Sequence, residues 1–390
     1  MSIYVLSHRG LNSSVSYDPL FELEDMLVQT CDGQILVPTA RGMTQWMYEY
    51  PVGTQFLSKV IRHTIGPYKL LDNSFQSWGK QNILFIIGLC GSDLTILSSI
   101  PRWRQYFDVV VAYIFDAWGF HIYPKYVRHL DHLFVPMPEL VEPLHEYFGI
   151  PISLLPFGVD VLTHGSGELD RPLDLINYGR IPQQYHRAFA KKFNQPDSER
   201  IYYHSTSRRL EVFPKTPYEE RKDQEDQMLL SKILKKTKLA LAFDTIYPGM
   251  RQFPYSFVTL RWFQCGAAGC AIIGKRPTTP LADKLLDWKD ATIELPDDPQ
   301  ESVEFLEELL QDRTRLHSIH KRNYVENLAR HDWRFRIKSM LEQLDIPLPK
   351  RLVDELLQLN TLHAQMSDGH LQLSGTQNPL TVSTTKPLET

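Results

Sequence analysis

The chain has 390 residues, enough for two ordinary domains. Hydrophobic residues make up 43% of it and charged residues 23%, as expected of a globular protein with a substantial core. The net charge of −4 argues against a general nucleic-acid-binding protein, although a local basic cleft for a phosphorylated ligand stays open.

The four cysteines form no CxxC pair and no cluster with zinc-ligand spacing, so we expect reduced thiols in a cytoplasmic protein. The first residues lack the charged start and long apolar core of a signal peptide. Every apolar run is too short to span a bilayer, so we expect no transmembrane segment. Peripheral contact with a membrane stays open.

The first half alternates short apolar segments with helical ones, which predicts a Rossmann-like α/β domain. Strands are predicted at residues 3–7, 34–38, 82–89, 108–115, 132–136 and 152–155, and helices at 19–30, 52–63, 139–147 and from 94 onward. The motif GxGxxG is absent, so this pattern does not by itself imply NAD or FAD.

Asp116 follows the predicted strand at 108–115. Open α/β sheets bind ligands at the carboxyl ends of their strands, so Asp116 is a candidate ligand contact. The alternative is that it caps the following helix. His121, five residues later, is a candidate base or hydrogen-bond donor for an acceptor, although a single histidine beside aromatic residues is more often structural.

Residues 161–171 are rich in glycine and polar residues and predict a linker, after which the α/β alternation restarts. Strands are predicted at 173–178, 200–203, 238–243, 270–273 and 291–295, and helices at 184–193, 217–236, 280–286, 299–311, 313–330, 333–344 and 349–359. The polar composition from about residue 366 to 390 predicts a disordered tail.

Residues 256–274, SFVTLRWFQCGAAGCAIIG, predict a helix that runs into a buried strand. The small residues at 266–269 let the backbone pack closely or turn sharply. The helix N-terminus would offer free N–H groups and a positive dipole end to an anion such as a diphosphate. Arg261 and Gln264 are polar residues of the same helix. The alternative is a packed crossover helix with a solvated arginine.

Four segments, in this order, resemble motifs of the GT-B glycosyltransferases. LPFGVD at 155–160 resembles the turn that closes their first domain, and NYGR at 177–180 resembles the end of the first strand of their second domain. RWFQ at 261–264 with AGC at 268–270 resembles their donor-site helix. HDW at 331–333 with Arg336 resembles the start of their C-terminal cross-over helix. The most similar branch is the CgeB-type, "glycosyl transferases group 1" proteins, in which a first-domain strand also ends in an aspartate, here Asp116.

The resemblance implies a nucleotide-sugar donor held mainly by the second domain, an acceptor held by the first, and neither a metal nor another cofactor. It implies catalytic roles for Asp116 and Arg180. Donor contacts are expected from Gly179, Arg180, Ser256, Phe257, Thr259, Arg261 and Gln264. Acceptor contacts are expected from His8, Arg9, Gly10 and His121, with an ordinary surface turn as the alternative at residues 8–10.

The sequence departs from related family 4 enzymes at two places. Those enzymes carry two glutamates eight positions apart on the donor-site helix, where this chain has Ser256 and Gln264. They also carry a lysine about five residues after the Gly-Arg, where this chain has Tyr185. The phosphate site is therefore less cationic, unless one of three other residues turns toward it: Arg187, Arg261 or Lys275.

We therefore expect an α/β protein of GT-B architecture, with two Rossmann-like domains facing a central cleft. The acceptor domain is predicted at 1–160 and the donor domain at 172–332, and a helix at about 333–346 is predicted to pack back on the first domain. The predicted activity is hexosyltransferase-like, metal-independent transfer with retention to a carbohydrate, lipid-linked or protein acceptor. The alternative is a catalytically degenerate protein that binds a nucleotide, a glycan or an active partner enzyme.

Overall fold

The computed structural model describes residues 1–11, 15–40, 68–70, 81–204, 225–250 and 253–367. Two parallel sheets contain most of the described strands. The predicted helix at 52–63 lies outside the described residues, as does the predicted tail apart from residues 366 and 367.

The first sheet has six parallel strands, which in chain order are β1 (Ser2–Leu6), β2 (Gln34–Leu36), β5 (Asn82–Cys90), β6 (Val109–Asp116), β7 (His132–Val135) and β8 (Ile152–Leu154). Across the sheet their order is β2-β1-β5-β6-β7-β8. The short strands β3 (Thr39–Ala40) and β4 (Tyr68–Lys69) pair antiparallel apart from this sheet. β5 and β6 are apolar along nearly their whole length because both faces of a parallel sheet are covered.

Helix α1 (Asp18–Cys31) covers the first sheet and has a proline in its first turn, where the missing N–H costs nothing. Helix α2 (Val141–Phe148) precedes β8. The helix predicted from residue 94 is instead a 3₁₀ helix, Gly91–Ser99. The Asp93 carboxylate folds this turn back on β5 by accepting from the backbone N–H groups of Leu89 (2.8 Å) and Cys90 (3.3 Å).

The second sheet has five parallel strands, which in chain order are β9 (Leu173–Asn177), β10 (Tyr202–His204), β11 (Thr237–Phe243), β12 (Ala271–Lys275) and β13 (Ile293–Glu294). Across the sheet their order is β10-β9-β11-β12-β13. The helices of this half are α3 (Val161–His164), α4 (Gln183–Phe193), α5 (Glu225–Lys235), α6 (Leu260–Ala267), α7 (Pro280–Leu285), α8 (Pro299–Gln311) and α9 (Arg313–Arg330). The predicted linker at 161–171 therefore begins with one helical turn.

Two C-terminal helices, α10 (Trp333–Gln343) and α11 (Lys350–Ser367), pack against α1 of the first half. Trp333 is fully buried and stacks on Phe115 with the ring centroids 6.2 Å apart. The Arg336 guanidinium donates to the carbonyl oxygens of Pro156 (3.1 Å) and Phe157 (3.0 Å). The segment at 155–160 and the segment at 331–336 are therefore in direct contact.

The buried carboxylate of Glu22, on α1, connects the two halves. Its Oε1 accepts from the Asp160 backbone N–H and from Trp333 Nε1, both at 2.9 Å. Its Oε2 lies 3.1 Å from His164 Nε2 and accepts from Gln227 Nε2. Burial opposes the charged imidazole, but the hydrogen bond to Glu22 and its charge raise the pKa of His164 above 6.5.

The helix predicted from residue 256 begins later, at Leu260, with Thr259 as its N-cap residue. The small residues at 266–269 allow close packing and a sharp turn, as predicted. A side chain at Gly266 would place Cβ 2.4 Å from Asn327 Nδ2 of α9. Gly269 has φ +76°, which lets the chain turn sharply into β12.

Candidate active site in the cleft

A pocket of about 300 Å³ lies at the carboxyl ends of both sheets, and we call it the cleft pocket. The first half contributes Leu89, Phe115 and Asp116, from the ends of β5 and β6. The second half contributes residues that follow β9 and β11 and the first turn of α6. Six of the predicted site residues line it together: Asp116, Arg180, Phe257, Thr259, Arg261 and Gln264.

Asp116 is the last residue of β6 and is paired in register with Cys90 of β5. Its side chain is partly buried in the wall of the cleft pocket. No helix starts directly after it: the next helical turn is the 3₁₀ helix Phe120–Ile122. Its place at the strand end therefore fits a ligand contact better than a helix cap.

Arg180 and Gly179 follow β9. The Arg180 guanidinium carbon lies 4.1 Å from the ring centroid of Phe253, within cation–π range. Gly179 has φ +75°, and a Cβ there would lie 2.7 Å from Arg261 Nη2. Glycine at this position therefore gives Arg261 room beside Arg180.

The Arg261 guanidinium is fixed by Nη1, which donates to the Arg180 carbonyl oxygen at 2.9 Å. Its carbon lies 5.2 Å from the ring centroid of Tyr178. Among the described residues it has no carboxylate partner, and its Nε has no hydrogen-bond partner. Burial lowers the pKa of Arg261 below its ordinary value, because the charged guanidinium is poorly solvated there, and a bound anion would supply its counter-charge.

The Tyr178 hydroxyl donates to Gln264 Oε1 at 3.2 Å. Burial raises the pKa of Tyr178 well above its ordinary value, so the hydroxyl keeps its proton and remains a donor. With Oε1 occupied, Gln264 presents its NH₂ group, and hence a donor, to the pocket. Sequence reasoning missed Tyr178, whose only signal was its place between a strand end and the Gly-Arg pair.

Ser256 does not line the cleft pocket. Its hydroxyl donates to Asp244 Oδ2 at 2.6 Å, and the neighbouring Thr245 hydroxyl donates to the Tyr255 carbonyl oxygen at 2.6 Å. These contacts hold residues 256–259 outside the helix, so the expected N–H groups at 256–259 are not those of a helical first turn. The helix N-terminus that faces the pocket is that of Thr259, Leu260 and Arg261.

Aromatic side chains bridge the two halves beside the cleft pocket. Trp118, two residues after β6, lies 5.1 Å from Phe253 and 6.0 Å from Phe257 between ring centroids. Phe157 lies 6.4 Å from Phe257. Phe253 thus contacts both Trp118 of the first half and Arg180 of the second, so the cleft is closed on this side.

The predicted acceptor residues lie elsewhere. His8 is 5% exposed, its Nε2 has no hydrogen-bond partner among the described residues, and burial lowers its pKa below 6.5. Arg9 is tied to α1 by ion pairs with Glu24 (3.3 Å) and Asp25 (2.6 Å). None of the four predicted acceptor residues, His8, Arg9, Gly10 and the exposed His121, lines the cleft pocket. Their acceptor roles stay predictions.

The other cations named as possible phosphate ligands do not reach the cleft pocket. Lys275 Nζ pairs with Asp297 at 2.7 Å, and Arg187 is exposed on α4. Tyr185, at the position of the usual lysine, is fully buried, and its hydroxyl donates to the Pro296 carbonyl oxygen at 2.8 Å. Of the three cations considered, Arg261 lines the pocket.

Residues 200–342 match the family model described as "Glycosyl transferase-like". A solved α-glucosyltransferase, in complex with UDP-glucose and DNA containing an abasic site, is 12% identical with a TM-score of 0.50, and the match covers 88% of this chain and 98% of that one. Anabaena HepE, in complex with UDP and glucose, is 10% identical with a TM-score of 0.49, covering 88% and 99%. No curated protein matches the chain in sequence.

The fold is GT-B, as predicted, with two parallel Rossmann-like sheets that meet at a central cleft. Among the residues that the structure describes, no helix is both long and apolar enough to cross a membrane.

Proposed function

We propose that this GT-B protein is a glycosyltransferase that moves a sugar from a nucleoside-diphosphate sugar to an acceptor. The observation that carries the proposal is the cleft pocket, where Asp116 of one sheet meets Arg180, Arg261 and Gln264 of the other. The match of residues 200–342 to a glycosyltransferase-like family model supports it.

In this proposal the diphosphate binds at the end of β9 and the first turn of α6. Arg261 and Arg180 supply fixed cationic donors, and the backbone N–H groups at the helix start supply neutral ones. Negative charge builds on the leaving nucleoside diphosphate as the sugar bond breaks, so donors placed before the reaction stabilise the transition state. These donors make a metal-independent reaction chemically reasonable.

Gln264 would donate from its NH₂ group to a ribose hydroxyl, since its oxygen already accepts from Tyr178. Asp116 would face the transferring sugar from the opposite wall of the pocket. Retention of the anomeric configuration and acceptor contacts from residues 8–10 and His121 are part of the proposal. A neighbour of the same fold is a complex with UDP-glucose, so UDP-glucose is the first donor to test.

We further propose domain boundaries that follow the two sheets. The acceptor domain would comprise residues 1–160 and the donor domain residues 172–332, joined at 161–171 and by a helix at about 333–346. Closure at this joint would exclude water, which would otherwise hydrolyse the donor. The contacts of Glu22 and Trp333 with the segments around the joint support this division.

The test is release of nucleoside diphosphate from a panel of nucleotide sugars, measured with and without candidate acceptors. We expect release with one nucleotide class, and we expect Arg180→Ala and Gln264→Ala to weaken donor binding, turnover or both. Unchanged donor affinity and turnover in both variants would contradict the assignment of this pocket.

The second candidate is a catalytically degenerate protein that keeps the cleft and binds a nucleotide or glycan. Three observations favour it: Ser256 is bonded to Asp244, Gln264 is neutral, and Tyr185 is buried in the core. Tight nucleotide binding without any product after long incubation would support this candidate over the transferase.

A further inference from the structure

A pocket that the proposed activity does not use lies at the opposite edge of the second sheet, near the amino ends of its strands. It has a volume of about 710 Å³ and is formed by the end of the linker, the residues before β10, the start of β11 and the turn between α8 and α9. We call it the basic pocket, after its lining residues Arg171, Arg200, Lys238 and Arg313. β9 runs between the two pockets, and its five residues span about 16 Å.

Arg171 gives the basic pocket a buried positive charge. The residue is 2% exposed, and its guanidinium donates to five backbone carbonyl oxygens, with distances from 2.8 to 3.3 Å. Among the described residues it has no carboxylate partner. Buried charges are usually paired directly with an opposite charge. Here five carbonyl dipoles solvate the guanidinium, and the nearby Glu168 carboxylate, which also acts on it, is ion-paired with Lys236 at 2.6 Å.

Two further cations share one acid. Lys238 Nζ lies 2.7 Å and Arg200 Nη1 lies 3.2 Å from Oδ1 of Asp174, which is almost completely buried. This carboxylate fixes both cations in position and neutralises only one of them. Both side chains stay about 30% exposed toward the pocket, at 28% and 33%. A second positive charge is therefore available to a ligand.

Arg313, in the first turn of α9, is exposed, and its side chain makes no hydrogen bond or ion pair with any described residue. Asp174 itself does not line the pocket, and the acid that does, Asp170, is exposed. His320 also lines the pocket, but burial and the charge of Arg171 lower its pKa to about 3, so it adds no charge. Four cations against two carboxylates leave the pocket positive in a chain whose net charge is −4.

We propose that the basic pocket binds a small phosphate-bearing molecule, at a site separate from the cleft pocket. Phosphate oxygens accept several hydrogen bonds and match guanidinium donors, and a concave pocket of this size suits a small molecule better than a flat membrane surface. Arg313 is the residue whose charge is free for such a ligand. The proposal does not depend on the transferase activity.

The test is isothermal titration calorimetry of the full chain with inorganic pyrophosphate. Arg313→Ala is expected to weaken binding roughly tenfold, the effect of one lost charge-assisted hydrogen bond. Arg315→Ala is the matched control, because it removes the same charge two residues away, where the side chain instead pairs with Asp290 at 3.0 Å. Thermal melting checks that both variants fold like the wild type.

Arg180→Ala separates the two pockets, because it changes the cleft pocket and leaves the basic pocket intact. We expect the Arg313-dependent binding to persist in this variant. Equal binding by Arg313→Ala and Arg315→Ala, or loss of all binding with Arg180→Ala, would overturn the proposal. Vesicles containing phosphatidylglycerol test the other source of phosphate: Arg313-dependent binding to vesicles without binding to pyrophosphate would also overturn it.

Discussion

Replacing Arg261 with methionine removes a guanidinium from the cleft pocket while keeping an unbranched apolar stem. The fold should tolerate this change. Arg261 makes one described hydrogen bond, to the Arg180 carbonyl oxygen, and has no carboxylate partner among the described residues. Arg261→Met should therefore change the free energy of unfolding by no more than about 1 kcal/mol.

The effect on the donor should be much larger. A hydrogen bond to a charged group contributes about 1.5–3 kcal/mol, so the dissociation constant for a nucleoside diphosphate should rise roughly ten- to hundredfold. If Arg261 also stabilises the leaving diphosphate in the transition state, turnover should fall by on the order of a hundredfold.

Calorimetric titration of the nucleoside diphosphate measures the first effect, and its release from the nucleotide sugar measures the second. Arg187→Met is the matched control, since it removes the same charge from an exposed position on α4 that does not line the pocket. Equal donor affinity and equal turnover in the two variants would show that Arg261 does not bind the diphosphate.

Trp118→Ala removes the ring contact with Phe253 across the cleft and should reduce turnover roughly two- to tenfold, with most activity kept in Trp118→Phe; steady-state kinetics would show this. Gly269→Ala should destabilise the fold by at least about 1–3 kcal/mol in urea unfolding, because φ is +76° and the added Cβ would lie 2.5 Å from the Ser166 carbonyl oxygen. An unchanged unfolding midpoint would contradict this reasoning. Pairing with Glu22 raises the pKa of His164, so its stabilising contribution is present below pH 6.5 and is lost as pH rises through the raised pKa. His164→Gln should remove this pH dependence from melting curves; an unaltered profile would count against it.

The buried strands could be predicted closely from the sequence. The strands predicted at 82–89 and 108–115 are β5 (Asn82–Cys90) and β6 (Val109–Asp116). Both faces of each strand are covered, so their residues are apolar without interruption and polar residues mark the ends. The same reasoning placed Asp116 at the carboxyl edge of the sheet, and the structure puts it in the cleft pocket.

The start of α6 could not be predicted from local periodicity. Residues 256–259 continue the helical pattern. However, the Ser256 hydroxyl donates a hydrogen bond to Asp244, twelve residues earlier, and the Tyr255 carbonyl oxygen accepts one from Thr245, ten residues earlier. These contacts between loops keep residues 256–259 outside the helix. A pattern of residues at helical spacing carries no information about such partners.

The loop at residues 8–10 shows the same limit. The family resemblance implied an acceptor contact here, which stays a prediction. The structure shows the Arg9 side chain paired with Glu24 and Asp25 on the next helix. Sequence alone could not decide whether this arginine faces the cleft or its own domain.

The motif resemblance combined residues with different roles. Tyr178, Arg180 and Gln264 lie in the cleft pocket. By contrast, Gly158 of LPFGVD packs on Trp333 of HDW, where a Cβ would come within 2.9 Å of the indole ring. That pair of motifs joins the C-terminal helices to the first half. These two motifs predicted the architecture because their residues pack against each other. They do not indicate which reaction the protein catalyses.

A donor site in the cleft pocket is tested most directly by a thermal-shift panel of UDP, GDP, ADP, CMP and dTDP, with their common sugar conjugates, on the wild type and Arg261→Met. A ligand at a hundred times its dissociation constant stabilises the fold by about 2.7 kcal/mol, which is readily visible as a rise in melting temperature. We expect a clear rise in melting temperature with one nucleotide class, and a much smaller rise in Arg261→Met. No shift with any nucleotide in folded wild-type protein, or an equal shift in the variant, would contradict a donor site in the cleft pocket.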